Sequence, residues 1–169
     1  MEKKSHLNII KKKILDKNAL EHQLTRWRFL GKKIVFTNGC FDILHLGHVD
    51  YLSKAADLGN ILIVGVNSDA STKVLKGPGR PINDEIQRTT LLASLHFTDG
   101  IVLFDESTPL ELIKLIQPDV LVKGSDYNLS NIVGSDVVQS YNGLVQTIDF
   151  IPGYSTTLIE EKIKSNLKK

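Results

Sequence analysis

Two histidines, His45 and His48, stand three residues apart in GCFDILHLGHVDYL, the stretch from Gly39 to Leu52, just after an apolar run. The chain has only five histidines, so their pairing there asks for a reason. If a helix begins near Leu46 or Gly47, both rings lie around its first turn on one face. Free backbone N–H groups and the positive end of the helix dipole gather at the same place. Gly47 carries no side chain, which leaves room for a bulky anion to approach the backbone. The chemistry this suits is recognition of phosphate oxygens by two imidazoles and a helix start. Two other readings fit the same letters: a metal pair completed by Asp42 or Cys40, or two unrelated helix histidines. A nicotinamide fold is disfavoured, because GPGRPI from Gly77 fails the G-x-G-x-x-G pattern and no Walker-A lysine loop is present.

The elements that must position these residues are legible from periodicity. From Lys33 onward, β-rich runs alternate with helical patterns: Lys33–Asn38, Ile61–Val66, Gly100–Phe104, Asp119–Gly124 and Leu144–Asp149. Most runs are continuously apolar, as expected of parallel strands covered on both faces. Helical segments fall near residues 47–58, 84–96, 108–116 and 131–141, with a last one from about Thr156. This order predicts an α/β fold, a Rossmann-like doubly wound parallel sheet of five strands. Residues 1–31 are basic and carry apolar residues at helical spacing, among them Ile10, Ile14, Leu20, Leu24 and Trp27. They are expected to form an N-terminal extension of one or two helices packing on a domain over 32–169 or on a partner subunit, or else a solvated lead-in with one docked turn.

In such a sheet, ligands sit beyond the carboxyl ends of the strands. Four of the five ends carry glycine or polar and charged groups: NGCFD, NSD, KGSDY and PGYSTT. The third, DESTP, reads as a helix cap supplied by Ser107 or Thr108, with Pro109 following. Cys40, the sole cysteine, excludes an internal disulfide and suits a reducing compartment. It reads as a small buried residue, since no base is paired with it. With 21 basic against 19 acidic residues, the formal charge of +2 is too small to argue for nucleic acid. No apolar stretch is long enough for a transmembrane helix and no secretory signal is evident. A cytoplasmic protein that engages neither membrane nor nucleic acid is the expectation.

The stretch GCFDILHLGHVDYL resembles the H-x-G-H nucleotidyltransferase superfamily. More closely, the region from about Trp27 to Lys162, four-fifths of the chain, is similar to the heptose 1-phosphate adenylyltransferases. VNSD, KGPGRP, PDVLVKGSDY and GYSTT follow in that family's order. The resemblance implies transfer of AMP from ATP to a sugar 1-phosphate, giving ADP-heptose and pyrophosphate. It implies Mg²⁺ carried by the ATP, an upstream sugar kinase on a separate chain, a product feeding lipopolysaccharide or another surface glycan, and a homodimer or larger assembly. A cytidylyltransferase acting on glycerol phosphate and a non-catalytic nucleotide-binding domain are the other readings. The cytidylyl relatives carry an arginine just ahead of G-x-S-T-T where this chain has Phe150, which favours the adenylyl branch.

The same resemblance implies roles residue by residue. His45, His48, Lys76 and Arg88 would act on the phosphates in catalysis, Arg88 at a position that contacts phosphate in the cytidylyl relatives. Asn38, Gly39, Cys40, Phe41, Asp42 and Gly47 would pass close to the nucleotide, with Asp42 holding the turn or the metal. Lys123, Gly124 and Asp126 at the fourth strand end, and Gly153, Tyr154, Ser155 and Thr156 at the fifth, would complete the nucleotide site. Asp69, Lys73 and Arg80 would shape the sugar-phosphate side. For each cation the plain alternative is a solvated surface charge; for Lys123 with Asp126 it is an ion pair, and for Ser155 an ordinary helix cap. His6, His22 and His96 have no motif around them.

Overall fold

The computed structural model describes residues 5–125 and 131–167. Five strands form one wholly parallel sheet in the order β3-β2-β1-β4-β5. They are β1 (Ile34–Gly39), β2 (Ile61–Asn67), β3 (Gly100–Phe104), β4 (Val120–Gly124) and β5 (Leu144–Ile148). The eight helices among the described residues are α1 (His6–Lys11), α2 (Lys17–Phe29), α3 (Leu46–Ala56), α4 (Asp69–Lys76), α5 (Glu85–Ser94), α6 (Leu110–Ile116), α7 (Ser135–Ser140) and α8 (Thr156–Asn166). The expected doubly wound sheet is what forms.

Side chains alternate between the faces of a strand, so each apolar strand feeds two cores. Ile34 and Phe36 join Leu20, Leu24, Ile113 and Val138 on the face covered by α2, α6 and α7. Val35 joins Tyr51, Leu52, Leu92 and Ala93 on the face covered by α3 and α5. This two-sided burial is why the runs read as continuously apolar. β5, at one edge, is only half-buried.

One feature differs from expectation. The segment after the second strand is a helix, α4, capped by the Ser68 side chain, which accepts from the Ser71 N–H at 3.1 Å. With only two turns it offers little periodicity to read. The N-terminal stretch forms helices that pack on the domain, one of the placements expected. Leu20 and Leu24 are fully buried in the common core, and the Asp16 carboxylate caps α2 by accepting from Ala19 N–H at 2.8 Å. Main-chain bonds from Leu15 N–H to Ile101 O and from Ile101 N–H to Lys13 O, both 2.8 Å, cover the β3 edge. Residues on both sides of position 31 thus share one core. No helix among the described residues is long and apolar enough to cross a membrane.

Candidate active site

The chain order reverses at β1: β2 and β3 lie on one side of it, β4 and β5 on the other. The crevice beyond the carboxyl ends of β1 and β4 is where such sheets take ligands. A cavity of about 660 Å³ opens there. Its wall includes Asn38 to Asp42 from the end of β1, His48 from α3, Lys76 from α4, Lys123 and Gly124 from β4, and Thr156 from α8.

The turn after β1 is built by hydrogen bonds. Phe41 takes a positive φ of 48°, which is costly without a glycine and is held by its surroundings. Asp42 is buried, and its Oδ1 accepts from the N–H groups of Ile82 (2.7 Å) and Asn83 (3.0 Å). Its Oδ2 accepts from Arg80 Nη1 at 2.7 Å. Burial pushes this carboxyl up, but the bonds from Asn83, Arg80 and Ile82 outweigh it and leave its pKa below the ordinary value. Asp42 thus staples the 80–83 loop to β1. Both of its oxygens accept hydrogen bonds from that loop.

His45 is the residue preceding α3, and its carbonyl accepts from the N–H groups of His48 (2.9 Å) and Val49 (3.2 Å). The rings stack with centroids 3.8 Å apart, and the His48 ring meets the edge of Phe41 at 5.3 Å. The shared face inferred from their spacing is real. Burial, reinforced by the His45 ring, pulls the His48 imidazole down to about 4; a contact from the Ile43 backbone opposes this without forming a well-aligned hydrogen bond. Burial lowers His45 as well. Both rings are therefore neutral near pH 7 and can offer a ligand dipoles and hydrogen bonds, but not positive charge. Gly47 is the second residue of α3. A Cβ there would lie 3.1 Å from the His45 ring and 3.3 Å from Tyr154 Cβ. The glycine lets His45 and the turn before α8 pack closely against the start of the helix.

Among the expected cations, Lys76, Arg80 and Lys123 reach the cavity wall. Lys123 Nζ donates to the Asn38 side-chain oxygen at 2.5 Å and to its carbonyl at 3.3 Å, tying β4 to β1. Arg80 bridges Asp42 and Glu160, joining the loop to α8. Lys73 is exposed and stands off the wall. Arg88 does not reach that wall: it is fully buried, bonded to Cys40 O, Asn83 O and Asp69 Oδ1. Asp69 accordingly serves as an anchor for Arg88. Ser155 caps α8 by accepting from Leu158 N–H at 3.2 Å. Gly153 supplies the positive φ of 86° in the preceding turn, and Tyr154 is half-exposed. Asp126 lies outside the described residues. No cluster of three or more His, Cys, Asp or Glu able to hold a metal occurs among the described residues, so the metal-pair reading finds no third ligand.

Several wall residues were not read as site residues in the sequence. Ser107, Thr108 and Pro109 from the third strand end line the cavity, and Pro109, not a hydroxyl side chain, precedes α6. The rule that flagged the other four ends would have found them. Tyr51, whose hydroxyl lies 2.7 Å from Thr37 Oγ1, and Thr157 also reach the wall.

Residues 36–165 match the cytidylyltransferase-like family model. The chain belongs to the cytidylyltransferase-like family. Its sequence is 60% identical over 135 residues to the bifunctional protein HldE of Nitratiruptor sp., covering 80% of this chain and 28% of that protein. It is 56% identical over 153 residues to HldE of Campylobacter jejuni subsp. doylei, covering 90% and 32%. The chain thus spans about a third of the length of these curated relatives. Among solved structures it is similar to a lipopolysaccharide core biosynthesis protein of Thermoplasma volcanium. That match has a TM-score of 0.60 and 28% identity, over 72% of this chain and 98% of the other. A pantoate-beta-alanine ligase of Francisella tularensis shares the fold, with a TM-score of 0.60 at 16% identity over 92% and 79% of the two chains. This cytidylyltransferase-like chain is a nucleotidyltransferase, and the wall described above lies within the matched region.

Proposed function

We propose that the chain transfers AMP from ATP to heptose 1-phosphate in the cytoplasm, yielding ADP-heptose for a surface glycan. One observation carries the reading: a neutral imidazole, His48, and three cations, Lys76, Arg80 and Lys123, line a single cavity at the switch point. That wall suits a ligand that brings several negative charges. In the reaction, an oxygen of the sugar phosphate bonds to the α-phosphorus while the bond to the bridging oxygen breaks, and pyrophosphate leaves with those electrons. The nucleophile is already an anion, so no base is required. The residues need only hold the phosphates in line and stabilise developing charge, which is the main demand of phosphoryl transfer. Mg²⁺ fits as a passenger on the triphosphate, where it would neutralise charge; the Asp42 oxygens are already bound within the protein. A sugar kinase would supply the 1-phosphate, and a homodimer is the expected assembly.

The test is pyrophosphate release with Mg²⁺, heptose 1-phosphate and each nucleoside triphosphate in turn. ATP-dependent release supports the reading, and its absence rejects it. The family match favours one second reading, a cytidylyltransferase acting on an alcohol phosphate; CTP outcompeting ATP in the same assay would establish it.

A further inference from the structure

Arg88 lies on α5, its side chain fully excluded from solvent. Each of its three nitrogens serves a different segment. Nη1 donates to the Cys40 carbonyl at 2.6 Å, in the turn after β1. Nε donates to the Asn83 carbonyl at 3.1 Å, at the end of the loop carrying Arg80. Nη2 donates to Asp69 Oδ1 at 2.8 Å, at the start of the helix that ends in Lys76. Cys40, Arg80 and Lys76 line the cavity, whereas Arg88 stands behind it.

We propose that Arg88 is a positioning residue for the transfer reaction: it fixes the Cys40–Phe41 turn, seats His48 through it, and does not itself touch the triphosphate. The link runs through neighbours. The bond to Cys40 O restrains the residue next to Phe41, whose left-handed backbone needs external support. The Phe41 ring in turn meets the His48 ring edge-on. A planar fork of donors reaches three diverging acceptors at once, which the single ammonium of lysine cannot do. With two carbonyls and one carboxylate as partners, each nitrogen of this buried cation is hydrogen-bonded within the protein.

The turnover part rests on the function proposed above, so the test pairs it with readouts that need no sugar. Cys40 is the sole cysteine, and its alkylation rate reports on the turn directly. In Arg88→Lys, kcat should fall about tenfold to a hundredfold, as small misplacements near reacting atoms do. ATP affinity by calorimetry should stay within about twofold, because no phosphate contact is removed. Cys40 alkylation should become several-fold faster. Loss of ATP affinity in step with kcat/KM, at an unchanged thiol rate, would make Arg88 a phosphate ligand and overturn the proposal. An unchanged kcat and thiol rate would overturn it too. If Arg88→Lys does not fold, Asp69→Asn removes one anchor and leaves the arginine. Faster alkylation with ATP affinity preserved supports positioning, and tighter ATP binding at an unchanged thiol rate refutes it. A wrong sugar assignment would abolish turnover in the wild type while leaving the thiol comparison intact.

Discussion

Replacing His48 by phenylalanine keeps a ring against Phe41 and His45 but removes a titrating group whose environment forbids charge. The His48 imidazole is lowered from 6.5 to about 4 by burial and by the stacked His45. Between those values the unfolded chain binds a proton that the folded chain refuses. Stability is therefore full above about pH 6.5, drains as pH falls towards 4, and loses nothing more from this group below that. The shift corresponds to about 3 kcal/mol in total, of which about 2 kcal/mol is lost between pH 7 and pH 5. His45, lowered by burial, contributes with the same sign. Asp99, raised by burial, works in the opposite direction, so the comparison with the variant is what isolates His48. Urea unfolding at pH 7, 6 and 5 should show the wild type losing about 2 kcal/mol more than His48→Phe across that range. Parallel losses would refute the claim that the folded protein keeps this ring neutral. At pH 7 the variant should also lose about a hundredfold in pyrophosphate release, the cost of one well-aimed donor at developing charge.

Lys76→Met removes an exposed cation from the cavity wall and should weaken ATP binding about fivefold, roughly 1 kcal/mol, measured by calorimetry. Asp42→Asn turns an amide N–H₂ or a carbonyl, but not both oxygens, towards donors that Asp42 now satisfies together. It should cost about 1–3 kcal/mol in a urea titration at pH 7. The wild type should lose this advantage as pH falls through the folded pKa, below 3.8, since the carboxylate is held ionised in the native state. Leu24→Ala should destabilise the whole domain by about 2–5 kcal/mol, in a single transition by circular dichroism, because Leu24 packs in the common core. A separate low-temperature transition for the N-terminal helices would contradict that.

The pattern along the chain was enough to specify the architecture. Unbroken apolar runs alternating with helical periods leave few solutions other than a two-sided parallel sheet, since each strand must bury both faces. The pairing of His45 with His48 was likewise local, because three residues at a helix start bring two rings onto one face. What no local pattern carries is which long-range partner a polar side chain finds. Arg80 and Arg88 look alike in the sequence, yet one lies on the cavity wall and the other is sealed behind it. Nor does any local pattern show that Asp42 accepts hydrogen bonds from the 80–83 segment. The charge state of the histidines was decided the same way. Spacing put the rings together, but burial beneath Phe41 and the packed turn around Gly47 set their proton affinity. Periodicity is a property of neighbours in the chain and survives in the sequence; solvation and hydrogen-bond partnership belong to neighbours in space, and only the folded chain brings those together.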